Sequence, residues 1–191
     1  MKATSICVLL VLPTTLQAFN LFENIFEAQI VDSGNKIKND VHEFVDGTFS
    51  WSRCNASVVP IAVTLLSVQP DPIQFGKNVT ISVAVDVTED IGTQDQNVKV
   101  DMKVMMKMGP EYYDVCVYKE EYCHFDLCQM AAKYKYNCPF PKYKYSLKNI
   151  TYYLPIQKIT VTGAFDITIQ LSSKGRELGC INIQLCLGQC D

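Results

Sequence analysis

Cysteine usage constrains this chain more than any other feature. It carries nine cysteines, and the first, Cys7, falls inside what reads as a cleavable leader. Met1-Lys2 is a short positive start, Ile6 to Leu12 is an apolar run too short to span a bilayer, and Thr14 to Ala18 suits cleavage after Ala18. Loss of residues 1–18 as a signal peptide leaves Cys54, Cys116, Cys123, Cys128, Cys138, Cys180, Cys186 and Cys190. This is an even set that an oxidising lumen would pair. Three acceptor tripeptides agree with that route: Asn55-Ala56-Ser57, Asn78-Val79-Thr80 and Asn149-Ile150-Thr151 mark Asn55, Asn78 and Asn149 as glycosylation positions. The expected destination is the extracellular space or the lysosomal lumen.

With 17 basic against 20 acidic residues the chain is mildly acidic, which argues against a nucleic-acid partner. After the leader, no apolar run approaches the length of a membrane span. Residues 19–48 place Phe22, Ile25, Phe26, Ile30, Ile37, Val41, Phe44 and Val45 at helical spacing. This amphipathic extension reads as a helix or pro-segment packed on the domain rather than a membrane-surface helix, because its polar face mixes Glu23, Glu27 and Asp40 with Lys36 and Lys38.

From Phe49 the period changes to two. Val79, Ile81, Val83, Val85 and Val87 alternate with polar or small residues, as do Val98, Val100, Met102, Val104, Met106 and Met108. Phe165, Ile167, Ile169 and Leu171 repeat the pattern, and so do Ile181, Ile183, Leu185 and Leu187. Ser172-Ser173-Lys174-Gly175-Arg176 between the last two is a hairpin turn. Shorter strands fit residues 49–54, 62–68, 112–118 and 158–162. About eight strands make residues 49–191 one all-β domain, an antiparallel sandwich or cup.

Residues 119–145 break the alternation, with three cysteines and interleaved Tyr and Lys. A helical turn near Phe125 to Ala132 followed by a bridged loop is expected. Tyr143 and Tyr145, with Tyr152 and Tyr153, read either as an amphipathic rim touching membrane headgroups or as a solvated hairpin with ordinary tyrosine packing. No nucleophile elbow, zincin helix, phosphate loop or dinucleotide fingerprint is present. Cys123-His124 with Asp126 and Cys128 resembles a zinc cluster, but thiols in this compartment are oxidised and no metal or other cofactor is expected. The adjacent pairs Glu120-Glu121 and Glu89-Asp90, read as strand residues, point to opposite faces and cannot share a substrate. The expectation is a protein that is not an enzyme.

An ordered set of segments carries a likeness. Phe49-Ser50-Trp51-x-x-Cys54 opens it, followed by Pro70-Asp71-Pro72-Ile73, Asn78-Val79-Thr80-Ile81-Ser82-Val83 and Cys138-Pro139-Phe140. Leu171-Ser172-Ser173-Lys174-Gly175-Arg176-Glu177-Leu178-Gly179-Cys180-Ile181 closes it. From Phe49 to about Leu187 the chain resembles the ganglioside GM2 activator family of ML lipid-recognition domains. The resemblance implies a non-catalytic β-cup that takes up acyl chains and presents glycosphingolipid headgroups to a lysosomal glycosidase such as a β-hexosaminidase. It pairs Cys54 with Cys180, Cys116 with Cys123, and Cys128 with Cys138; Cys186 and Cys190 have no family counterpart and are left to each other. It also matches Asn78 to a family glycosylation position.

On this reading the partner is a lipid, glycosphingolipid or phospholipid, with transient contact at a membrane surface. The cavity wall is expected from Val83, Val85, Val100, Met102, Val104 and Met106, with Phe165, Ile167, Ile169 and Leu171 opposite or beside them. The pattern by itself equally describes a closed sandwich core. The competing functional reading is a secreted recognition protein, immune or venom-like, that uses a solid sandwich without carrying lipid. A hydrolase with a dispersed site around His124 is a further alternative.

Overall fold

A computed structural model describes residues 48–54, 58–108, 111–117, 120–156 and 162–190. The proposed leader, the helical extension, Asn55 and residues 158–161 of the proposed 158–162 strand lie outside the described residues. Nine strands are described: β1 (Ser50–Arg53), β2 (Ile61–Gln69), β3 (Asn78–Val87), β4 (Lys99–Met108), β5 (Glu111–Asp114), β6 (His124–Asp126), β7 (Tyr143–Tyr153), β8 (Gly163–Ser173) and β9 (Arg176–Leu187). Two short helices, α1 (Glu120–Cys123) and α2 (Leu127–Lys133), flank β6. The first sheet runs β1-β9-β8-β4-β5, with β6 also on β4; the second runs β2-β3-β7. All ladders are antiparallel.

The alternation dictates the layering. Side chains two apart on a strand share a face, so the valines and isoleucines of β3 turn together toward the first sheet, and all five odd-numbered residues from Val79 to Val87 are buried. The β8–β9 hairpin closes on Lys174 and Gly175, both at positive φ (50° and 78°), as a two-residue type I′ turn needs. At this hairpin end the sheets are pinned together. A Cβ on Gly179 would stand 2.6 Å from the Ile61 carbonyl oxygen, so only glycine lets β9 pass the start of β2. An apolar plug lies at the same end, where Ile91 and Phe140 exchange backbone hydrogen bonds of 2.8 and 2.7 Å and both are buried.

The cysteine-rich segment is more structured than expected. Asp126 caps α2, its Oδ1 accepting from the Gln129 N–H at 2.8 Å. Glu120 and Glu121 begin α1 rather than standing on a strand. The 112–118 strand is shorter than expected: it ends at Asp114, whose Oδ1 accepts from the Cys116 N–H at 2.9 Å and turns the chain into a 3-10 turn, Val115–Val117. Tyr143 to Tyr153, read as loop and rim, is a full strand and the outer member of the second sheet. Four disulfides join Cys54 to Cys180, Cys116 to Cys123, Cys128 to Cys138 and Cys186 to Cys190.

Candidate functional site

Register places the inward side chains of the first sheet in rows. Met102, Ile169 and Ile181 stand side by side; next come Val104, Ile167 and Ile183 with Trp51 at the edge; then Met106, Phe165 and Leu185. Of the ten expected wall residues, Val83, Val85, Val100, Met102, Val104, Met106, Phe165, Ile169 and Leu171 are closed to solvent. Ile167 is not. It is only partly buried, as are its neighbours Ile183, Leu185 and Trp51.

β8 is an interior strand, flanked by β4 and β9. Ile167 therefore has Val104 and Ile183 beside it, and Phe165 and Ile169 before and behind it on the same face. On the facing sheet, Val68, Ile150 and Tyr152 are likewise inward and partly buried, as is Phe75 in the following loop. Val68 pairs with Ile81, which pairs with Ile150, and Val79 pairs with Tyr152, so this set lies toward the end away from the hairpin. Ile183, Leu185, Trp51, Val68, Phe75 and Ile150 were not among the expected site residues. The alternation of β9 was readable in the sequence; that of β7 was obscured by a bulge.

The four expected rim tyrosines are not brought together. Tyr143 and Tyr145 stand at the hairpin end, their rings edge-on with centroids 5.2 Å apart, and the buried Tyr145 donates its hydroxyl to the Pro141 carbonyl at 2.6 Å. Tyr152 and Tyr153 stand at the far end of β7, about 30 Å away at the usual strand rise. Those two alternate: Tyr152 turns inward, and burial, with Tyr136 adding a smaller effect, raises its phenol above the ordinary value. Tyr153 turns outward and is 62% exposed.

Other concavities and charges have a different character. A hollow of about 280 Å³ on the outer face of the first sheet is lined by polar Ser50, Ser52, Lys103, Asp166, Thr168, Asn182 and Gln184 together with Trp51 and Met105, a mixed surface. His124 Nδ1 lies 2.8 Å from Asp101 Oδ1, and both side chains are exposed. Cys123 and Cys128 are bound in disulfides, and among the described residues no group of three or more His, Cys, Asp or Glu is placed to hold a metal.

Residues 48–187 match the family model of the ML domain. Over 162 residues the chain is 30% identical to the ganglioside GM2 activator of Mus musculus, an overlap of 74% of this chain and 82% of that protein. The chain belongs to the GM2 activator family. A second GM2 activator relative, from Macaca fascicularis, is 29% identical over 169 residues, covering 74% of this chain and 84% of its own. Among solved structures, a Niemann-Pick type C2 protein from Japanese carpenter ant aligns with a TM-score of 0.38 and 13% identity, covering 73% of this chain and 99% of that one.

Proposed function

We propose that this GM2 activator family member is a non-catalytic lipid carrier of the secretory pathway. It takes acyl chains into the space between its sheets and displays a glycolipid headgroup to a hydrolase. The observation that supports it is the partial exposure of Ile167, an apolar side chain at the centre of an inner face. Exposing a hydrocarbon chain to water costs about 0.8 kcal/mol per methylene, so a chain of about sixteen carbons faces roughly 12 kcal/mol. Moving that chain from bilayer to the apolar space beside Ile167, Ile183 and Leu185 replaces hydrocarbon with hydrocarbon and cancels most of the cost.

The ligand class is a glycosphingolipid or phospholipid, met during brief contact with a membrane. The relatives are named for ganglioside GM2, so a lysosomal glycosidase such as a β-hexosaminidase is the proposed beneficiary. The protein acts in the lysosomal lumen or outside the cell. Delipidated protein should take up a fluorescent acyl probe with one-to-one stoichiometry, and should raise hydrolysis of vesicle-embedded ganglioside by a β-hexosaminidase. No uptake of fatty-acid, phospholipid or glycosphingolipid probes would overturn the carrier reading. Uptake without enzyme stimulation would overturn the presentation step alone.

A further inference from the structure

Two of the acceptor tripeptides are cross-strand neighbours. Asn78-Val79-Thr80 opens β3, Asn149-Ile150-Thr151 lies in β7, and the two threonines pair directly, Oγ1 to Oγ1 at 3.1 Å. Both asparagines are exposed. Asn149 occupies a bulge at φ 54°, a left-handed conformation that asparagine tolerates better than most residues. There its backbone N–H donates to Ser82 Oγ at 2.9 Å, while the Ser82 hydroxyl donates to Asn149 Oδ1 at 3.3 Å. This small ring ties the side-chain oxygen to the sheet while the residue itself stays exposed, accessible to a carbohydrate on its amide nitrogen.

We infer that Asn149 carries an N-linked glycan and that this glycan, with one on Asn78, covers the outer face of the β2-β3-β7 sheet. The inference rests on the secretory passage proposed above but not on lipid carriage. The donor is a lipid-pyrophosphate-linked oligosaccharide. The Asn Nδ2 forms a bond to the anomeric carbon, the bond from that carbon to the pyrophosphate oxygen breaks, the lipid pyrophosphate leaves with the electron pair, and the amide proton passes to a base.

Asn149 lies at the level of Ser82, four residues along β3 from Asn78, so the two attachment points are about 14 Å apart at standard strand rise and spacing. Two glycans so placed lie side by side. Beneath them are small polar side chains, Thr64, Ser67, Thr80, Ser82 and Thr151, together with the apolar Leu65 of β2, which is 40% exposed and which the glycans would shield. Tyr153 is the cross-strand partner of Asn78 on this face, and its exposed ring is a platform for the first sugar. The covered sheet is thereby withdrawn from protein contact, and partners meet the end away from the hairpin or the other sheet.

The test is glycopeptide mass spectrometry on protein secreted from a eukaryotic host, with Asn78→Gln and Asn149→Gln variants. Occupancy of both sites is expected, each variant losing one glycan, and Asn149→Gln keeping full uptake of the acyl probe. Hydroxyl-radical labelling of Tyr153 should rise several-fold in Asn78→Gln. A bare Asn149 beside an occupied Asn78 overturns the inference and leaves the secretory reading intact. Protein held in the cytosol without any glycan overturns both. Unchanged Tyr153 labelling overturns the platform.

Discussion

Ile167 and Val104 are cross-strand partners on one inner face, yet Val104 is sealed and Ile167 is only partly buried. Phenylalanine should therefore have different consequences at the two positions. Val104→Phe forces two extra shells of carbon into packed surroundings and is expected to cost about 1–3 kcal/mol in a denaturant titration. If the proposed acyl-chain space adjoins Ile167, Ile167→Phe should melt close to the parent and bind the acyl probe several-fold more weakly. Equal destabilisation of the two variants with unchanged uptake would mean that the space beside Ile167 is not the lipid site. Tyr152 offers a pH readout from the facing wall. Its phenol is raised by burial first and by Tyr136 second. An acid whose folded value is raised ionises earlier in the unfolded chain, so its contribution is whole below about pH 10 and is lost as pH climbs through the folded value. Tyr152→Phe should show a shallower loss of stability above pH 10 than the parent, with matching curves near neutrality.

At the scale of elements, the disulfides divide by the length of chain they close. Cys54–Cys180 ties the end of β1 to β9 across 126 residues, whereas Cys186–Cys190 spans four. Chain entropy assigns about 5 kcal/mol to the first closure and about 2 kcal/mol to the second. Paired Cys→Ala variants should differ by about 3 kcal/mol in chemical denaturation, in that order. The strands that carry the inner wall were readable because valine, isoleucine and methionine recur at strict period two in β3, β4, β8 and β9. β7 was not. Its Tyr143-Lys144-Tyr145 start has the same period, but Ser82 faces a bulge between Leu147 and Ile150 that shifts the phase by one residue. The apolar set thus passes from Tyr145 and Leu147 to Ile150 and Tyr152, and a fixed alternation fails. That bulge, with Lys144 and Lys148 exposed beside it, also blunts a sheet edge that would otherwise template pairing with another chain. The 3-10 turn and α1 escaped notice for another reason: they are too short for periodicity and are fixed by the Cys116–Cys123 bridge and by Asp114.

For the molecule as a whole, alternation settles which side chains face inward but says nothing about how far apart two inward faces stand. A valine against a valine and a valine against a lipid methylene have the same sequence signature. The distinction comes from packing. The hairpin end is pinned at Gly179 and plugged by Ile91 and Phe140, the far end is tied where Ile73 bridges Leu187, and the partly accessible Ile167, Ile183 and Leu185 lie between these ties. On the proposed carrier reading, the protein lacks part of its core until a ligand completes it. Its stability should then depend on what fills it, because a ligand that binds only the folded state stabilises by mass action. At a free ligand concentration about 100-fold above Kd the gain is about 2.7 kcal/mol. Thermal unfolding of delipidated protein should therefore shift upward by several degrees as a long-chain lipid is added, continuing with the logarithm of its concentration. Short-chain analogues should shift it less, in proportion to buried methylenes. Ile167→Phe, with the space already occupied, should lose most of this dependence while keeping its ligand-free midpoint. A midpoint indifferent to chain length in the parent protein would mean that the two sheets already complete one another.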